Sequence, residues 1–140
     1  VKPVVDTNTL ISGALWQGPA ARLLSAALAG KAKLFLSLPM LLEFREALQY
    51  PRFAERLAGK GETPDSLMVR FRAAFHEAVP AQVVRPAELR DPDDVHVLAC
   101  AVGIKADAIV TGDKDLLAIR SFGGIRIIQA QEALKTLGLA

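Results

Sequence analysis

Ala108-Ile109-Val110-Thr111-Gly112-Asp113 is the stretch on which the fold turns. Its first three residues are apolar without a break. A strand with one wet face alternates apolar and polar residues, whereas a strand covered on both faces reads as a short apolar run closed by turn residues. The same pattern opens the chain, where Val4-Val5 runs into Asp6-Thr7-Asn8-Thr9, read as a polar turn. Leu34-Phe35-Leu36 and Gly124 to Ile128 are two further strands of this kind, and Val83-Val84 is a brief extended piece.

Helical stretches separate them. Pro19 to Ala29 starts on proline and ends at Gly30, the usual asymmetry of helix ends. Ser37-Leu38-Pro39 opens a helix to about Leu48, Pro51 to Ala58 forms a short one, and Asp65 to Ala78 another. Asp91-Pro92 starts a helix running to Val102, Gly112 to Leu117 is a loop or single turn, and Ala130 to Leu137 is the last helix. Strands alternating with helices predict one α/β domain over residues 1–140, a three-layer α/β/α sandwich around a mostly parallel sheet.

Composition agrees. The 140 residues are 51% hydrophobic and 23% charged, enough to bury a core and far from a disordered chain. The net charge of +2 conceals segregation. From Asp91 to Asp115 six acids face two lysines, a balance of −4; the remaining 15 basic and 9 acidic residues give +6. Cys100 stands alone, so no internal disulfide forms and a reducing, cytoplasmic setting is expected. One Cys and two His exclude a Cys/His zinc site. No apolar run approaches a membrane span, and no signal peptide is visible. The chain begins at Val1 without a methionine, so a native start one or more residues earlier is expected.

Ligands of an open parallel sheet sit outside the carboxyl ends of its strands. Asp6 and Asp113 are placed there, although each alone reads as a turn or cap residue. In Asp91-Pro92-Asp93-Asp94 capping and the helix dipole account for Asp91 and Asp93. Asp94 is left over, at the start of a helix with almost no polar face. Glu43 lies about 40° outside the apolar arc of its helix, bordering the core, while Glu46 faces water; an ordinary solvated glutamate fits as well. Acids gathered at one rim repel unless a cation sits among them. A hard divalent ion, Mg²⁺ or Mn²⁺, is the natural solution, and such an ion suits displacement at phosphorus.

Four motifs, in order and at matching spacings, resemble the PIN-domain family: Val4-Val5-Asp6-Thr7-Asn8, Glu43, Arg90-Asp91-Pro92-Asp93-Asp94, and Ile109-Val110-Thr111-Gly112-Asp113-Lys114-Asp115-Leu116-Leu117. The likeness runs from about Val4 to Ile128 and is strongest to the bacterial and archaeal branch of toxin components related to the VapC ribonuclease toxins. It implies a PIN-like fold and Mg²⁺- or Mn²⁺-dependent cleavage of RNA to 5′-phosphate and 3′-hydroxyl products. It assigns catalysis and metal binding to Asp6, Glu43, Asp94 and Asp113, with Glu43 holding a second ion or orienting the nucleophile. Asn8, Thr111, Asp93 and Asp115 would support the site, with Ser12 a further candidate. It also implies an antitoxin partner and a homodimer, for which Pro19 to Ala29 is a face by composition.

Arg45, Arg52, Arg56 and Lys60 are candidates for RNA phosphates, each with a plain solvated reading. Trp16 and Phe122 could stack on bases, but packing in the core or at a dimer contact is the favoured reading for both. His96 reads as a packing or hydrogen-bonding residue and Cys100 as core. Two other functions compete. Asp6-Thr7-Asn8-Thr9 is similar to the DxDxT motif of haloacid-dehalogenase-type phosphatases, but Asn8 cannot supply the acid that the second Asp gives. A receiver domain wants paired acids after the first strand, which Asp6-Thr7 lacks. A non-catalytic interaction module with an unused metal site is the remaining alternative.

Overall fold

The computed structural model describes residues 1–92 and 94–139. β1 (Pro3–Val5) leads through Asp6 into α1 (Thr7–Leu15) and α2 (Pro19–Leu28). β2 (Leu34–Leu36) is followed by α3 (Leu38–Ala47), α4 (Pro51–Gly59) and α5 (Pro64–Phe71). Then come β3 (Phe75–Glu77), α6 (Asp94–Gly103), β4 (Ala108–Val110), α7 (Lys114–Ile119), β5 (Ser121–Phe122), β6 (Ile125–Ile128) and α8 (Ala130–Thr136).

The six strands make one sheet in the order β3-β2-β1-β4-β6-β5, parallel except for β5 against β6. The expected mostly parallel α/β/α architecture is observed. The chain builds outward from β1 to β2 and β3, then returns to add β4 on the other side of β1. The gap beyond the carboxyl ends of β1 and β4 is therefore the topological switch point, where open sheets bind ligands. Val5 pairs with Val110, and the Asp6 amide donates to the Val110 carbonyl at 3.0 Å. The pairing thus aligns Asp6 with the residues that follow β4. β1 and β4 are wholly buried, as their unbroken apolar runs require.

Several local readings are corrected. Asp6-Thr7-Asn8-Thr9 is no open turn: Asp6 caps α1, whose first turn is Thr7-Asn8-Thr9. The helix expected from Asp65 to Ala78 ends at Phe71, and Phe75–Glu77 joins the sheet edge beside β2. Phe75 then packs its ring near Phe44 and Phe71; tertiary pairing overrides local propensity there. Val83-Val84 forms no strand, and Val84 is exposed. The loop after Gly112 tightens into α7, because Asp113 caps it. The described part of α6 begins at Asp94, whose amide donates to the Asp91 carbonyl at 3.1 Å, and the residue before it, Asp93, lies outside the described residues.

Two glycines mark close approaches. A Cβ on Gly13 would lie 2.6 Å from Leu24 Cδ1 and 2.8 Å from the Ala20 carbonyl oxygen, so its absence lets α1 and α2 meet. A Cβ on Gly103 would stand 2.1 Å from the Val79 carbonyl oxygen. Among the described residues no helix is long and apolar enough to cross a membrane.

Candidate functional site

Asp6 is the best-defined acid. It is 5% exposed, and both carboxylate oxygens are engaged. Oδ1 accepts from the Thr9 amide at 2.8 Å, the N-cap bond of α1. Oδ2 accepts from the Thr111 hydroxyl, itself buried. The Thr111 hydroxyl in turn accepts from the Asp113 amide at 3.0 Å. A hydroxyl has one proton to give. With Asp113 N–H filling its acceptor side, Thr111 directs that proton to Asp6. One side chain thereby ties the end of β1 to the loop after β4.

Asp113 is half-buried and turns one oxygen inward: Oδ1 accepts from the amides of Asp115 at 2.7 Å and Leu116 at 3.3 Å. Asp94 enters from α6, which packs against β1 and β4. Its Oδ2 is buried and has no hydrogen-bond partner among the described residues. Buried acceptors are seldom left this way.

Electrostatics shows which acids act on one another. Burial raises the Asp94 carboxyl from 3.8 to about 6, helped by the charges of Asp113, Asp91, Asp6 and Asp115. Burial also raises Asp6, opposed by the Thr111 and Thr9 hydrogen bonds and aided by the charge of Asp113. A site whose carboxylates raise one another is short of positive charge.

The structure thus brings Asp6, Asp94 and Asp113 together, with Asp91 and Asp115 alongside. Glu43 is placed differently. It is exposed on α3, as Glu46 is, rather than bordering the core. Its helix packs against α1 and α6, which carry Asp6 and Asp94 at their starts. Asp93 lies outside the described residues.

The donors are hard carboxylate oxygens, and the orphaned Asp94 Oδ2 is an acceptor suited to a cation. Among the described residues no group of three or more His, Cys, Asp or Glu side chains stands arranged as a ready metal cage. Mg²⁺ tolerates this, since it takes one or two carboxylates and keeps several waters. The donor set therefore fits a hydrated Mg²⁺ or Mn²⁺ and not a tightly caged ion.

A PIN domain profile matches residues 2–115. The chain belongs to the PIN domain family. PIN domains are typically nucleases that use divalent metals, and the matched span contains every acid of the cluster. No curated protein matches the sequence.

A groove of about 450 Å³ in this PIN domain has one of the clustered acids, Asp113, in its wall. Thr111, Gly112 and Asp113 line one part of it, Asn8 and Ser12 its α1 side, and Trp16 and Gln17 another part. Gln129 and Gln131 line it as well, and sequence reading missed them. Their signal was available: Gln129 follows β6 and so lies at the same carboxyl edge as Asp6 and Asp113. A larger groove of about 620 Å³, lined by Leu38, Leu42, Met68 and Val69 among others, contains none of the clustered acids. Chemistry, rather than size, decides between the two.

The basic candidates separate. Arg45 lines the larger groove and faces Asp65 at 3.8 Å. Arg52 lies over the Phe53 ring and Arg56 over the Trp16 ring. Lys60 is exposed at the end of α4. Phe122 is half-buried against the core, and Cys100 is fully buried with its thiol raised to about 11. His96 is exposed, so the packing role expected for it is not observed.

Proposed function

We propose that this PIN domain is an endoribonuclease dependent on Mg²⁺ or Mn²⁺, acting as the toxin of a toxin–antitoxin pair. The observation that carries the nuclease reading is the orphaned, buried Asp94 Oδ2 beside Asp6 and Asp113 at the switch point of the sheet. Asp6, Asp94 and Asp113 are the residues that would hold the ion, directly or through water. Bound among them, such an ion neutralises the carboxylates, activates water and stabilises displacement at a phosphodiester phosphorus.

The chain's own groups set the geometry. Asp6 is fixed by Thr9 and Thr111 before any ligand arrives, so little reorganisation remains to be made. Asp115 adds negative charge at the rim, and Asn8 and Ser12 present polar groups on the groove side of α1. For Glu43 the resemblance gives a second ion or orientation of the nucleophile, and the packing of α3 on α1 and α6 supports that role. The toxin role, the antitoxin partner and a homodimer rest on the likeness of the acid motifs to the VapC-related branch. The phosphatase alternative loses ground, because Asn8 is exposed within α1 and offers no carboxylic acid.

The test is cleavage of a labelled RNA with Mg²⁺ or Mn²⁺, with chelator, and with Asp6→Asn. Cleavage only by the wild-type protein with metal is expected, leaving 5′-phosphate ends. Cleavage that survives the chelator or Asp6→Asn refutes the proposal. Hydrolysis of a small phosphate ester without RNA cleavage favours the phosphatase.

A further inference from the structure

The groove that holds Asp113 also holds Trp16. Asp6 caps one end of α1 and Trp16 the other. Ten residues at about 1.5 Å of rise separate them by about 15 Å. Trp16 is 42% exposed although it is large and apolar. It is not an isolated surface aromatic. The Arg56 guanidinium lies 4.7 Å from its ring centroid, held there by an Nε bond of 2.6 Å to the Leu15 carbonyl. Phe53 meets it edge-on at 6.2 Å, and exposed Tyr50 stacks on Phe53 at 6.3 Å. Trp16 lines the groove, whereas Arg56 and Phe53 do not. The indole is braced by Arg56 and Phe53 and remains partly exposed.

We propose that the groove from Asp113 to Trp16 is the track of a single-stranded nucleic acid, with Trp16 as the platform on which one of its bases stacks. The chemistry is that of single-strand binding surfaces, where aromatic faces take bases and nearby arginines take phosphates. Arg52 and Arg56 supply the positive charge beside the platform, and Gln17 and Gln129 are polar residues of the groove wall. Stacked bases rise about 3.4 Å each, so Trp16 holds a base no more than about four nucleotides from the phosphate at the acids. The proposal rests on the nuclease reading, and deepens it by naming where the substrate's bases lie.

Trp16 is the only tryptophan in the chain, so its fluorescence reports this site alone. Emission is titrated with short oligouridylate and oligoadenylate, first with chelator and then with Mg²⁺, and with an abasic phosphodiester of equal length. Quenching by the two oligonucleotides but not by the abasic strand is expected. Trp16→Ala is expected to weaken oligonucleotide binding by about tenfold or more in fluorescence anisotropy, with Trp16→Phe retaining most of it. Equal quenching by the abasic strand overturns the proposal, as does RNA cleavage with no change in Trp16 emission; the latter leaves the nuclease reading intact. Quenching without any cleavage upholds the platform and removes the nuclease. Emission that changes with protein concentration alone assigns Trp16 to a contact between copies and also overturns the proposal.

Discussion

Replacing Asp94 with asparagine should make the metal-free protein more stable at neutral pH. The Asp94 carboxyl is raised from 3.8 to about 6, first by burial and then by its acidic neighbours. Each whole step in pKa corresponds to about 1.4 kcal/mol, so full ionisation at neutral pH costs at most about 3 kcal/mol. Asp94 is only partly enclosed, and solvent screening reduces that to about 1–2 kcal/mol. Asparagine also gives up the carboxylate's attraction to the first turn of α6, about 0.3–1 kcal/mol. A net gain of about 1 kcal/mol remains, or about 3–4 °C in Tm for a chain of this size.

The pH dependence has a definite sign. An acid whose folded pKa lies above its unfolded value contributes stability below the unfolded pKa and loses it as pH rises through the folded one. Wild-type stability in chelator should therefore fall, relative to Asp94→Asn, from about pH 4 through about pH 6, and the gap should then level off. Thermal melts of both proteins across that range measure it. Saturating Mg²⁺ should reverse the order, because an ion bound only by the folded state stabilises it and the variant binds less. No gain from Asp94→Asn in chelator at neutral pH, or a gain independent of pH, would refute the reasoning.

Three further perturbations separate structure from chemistry. Thr111→Val should cost about 1–3 kcal/mol in urea unfolding, because it leaves Asp6 Oδ2 buried without its donor. Asp6→Ala should lose about 1 kcal/mol more than Asp6→Asn, since asparagine can still cap α1 through Thr9; both should be inactive on RNA. Gly13→Ala should lower stability by about 1–3 kcal/mol, read by thermal melting, as the added methyl meets Leu24 and the Ala20 carbonyl.

The central strands and the acids at their ends were legible because burial on both faces leaves an unbroken apolar run, and because turn chemistry places Asp6 and Asp113 at the carboxyl edge. What was not legible depended on partners far away in sequence. Phe75–Glu77 continues a helical-looking stretch, and only β2 makes it a strand. Asp6 and Asp113 read as either caps or site residues; in the fold both cap helices while standing in the acid cluster. The tie between them passes through Thr111, 105 residues from Asp6. Helical-wheel geometry put Glu43 at the core border, but it could not foresee the exposure that tertiary packing leaves it. For Trp16 the sequence favoured packing in the core or at a dimer contact over stacking, whereas the fold leaves it exposed beside Arg56 and Phe53, contacts that lie far away in sequence.

The central claim is that these acids form a divalent cation site, and Mn²⁺ can be located directly. Crystals grown with Mn²⁺ and measured at its absorption edge should show an anomalous peak among Asp6, Asp94 and Asp113, lost in Asp94→Asn. A Mn²⁺ peak elsewhere, or none at these carboxylates at saturating Mn²⁺, would contradict it.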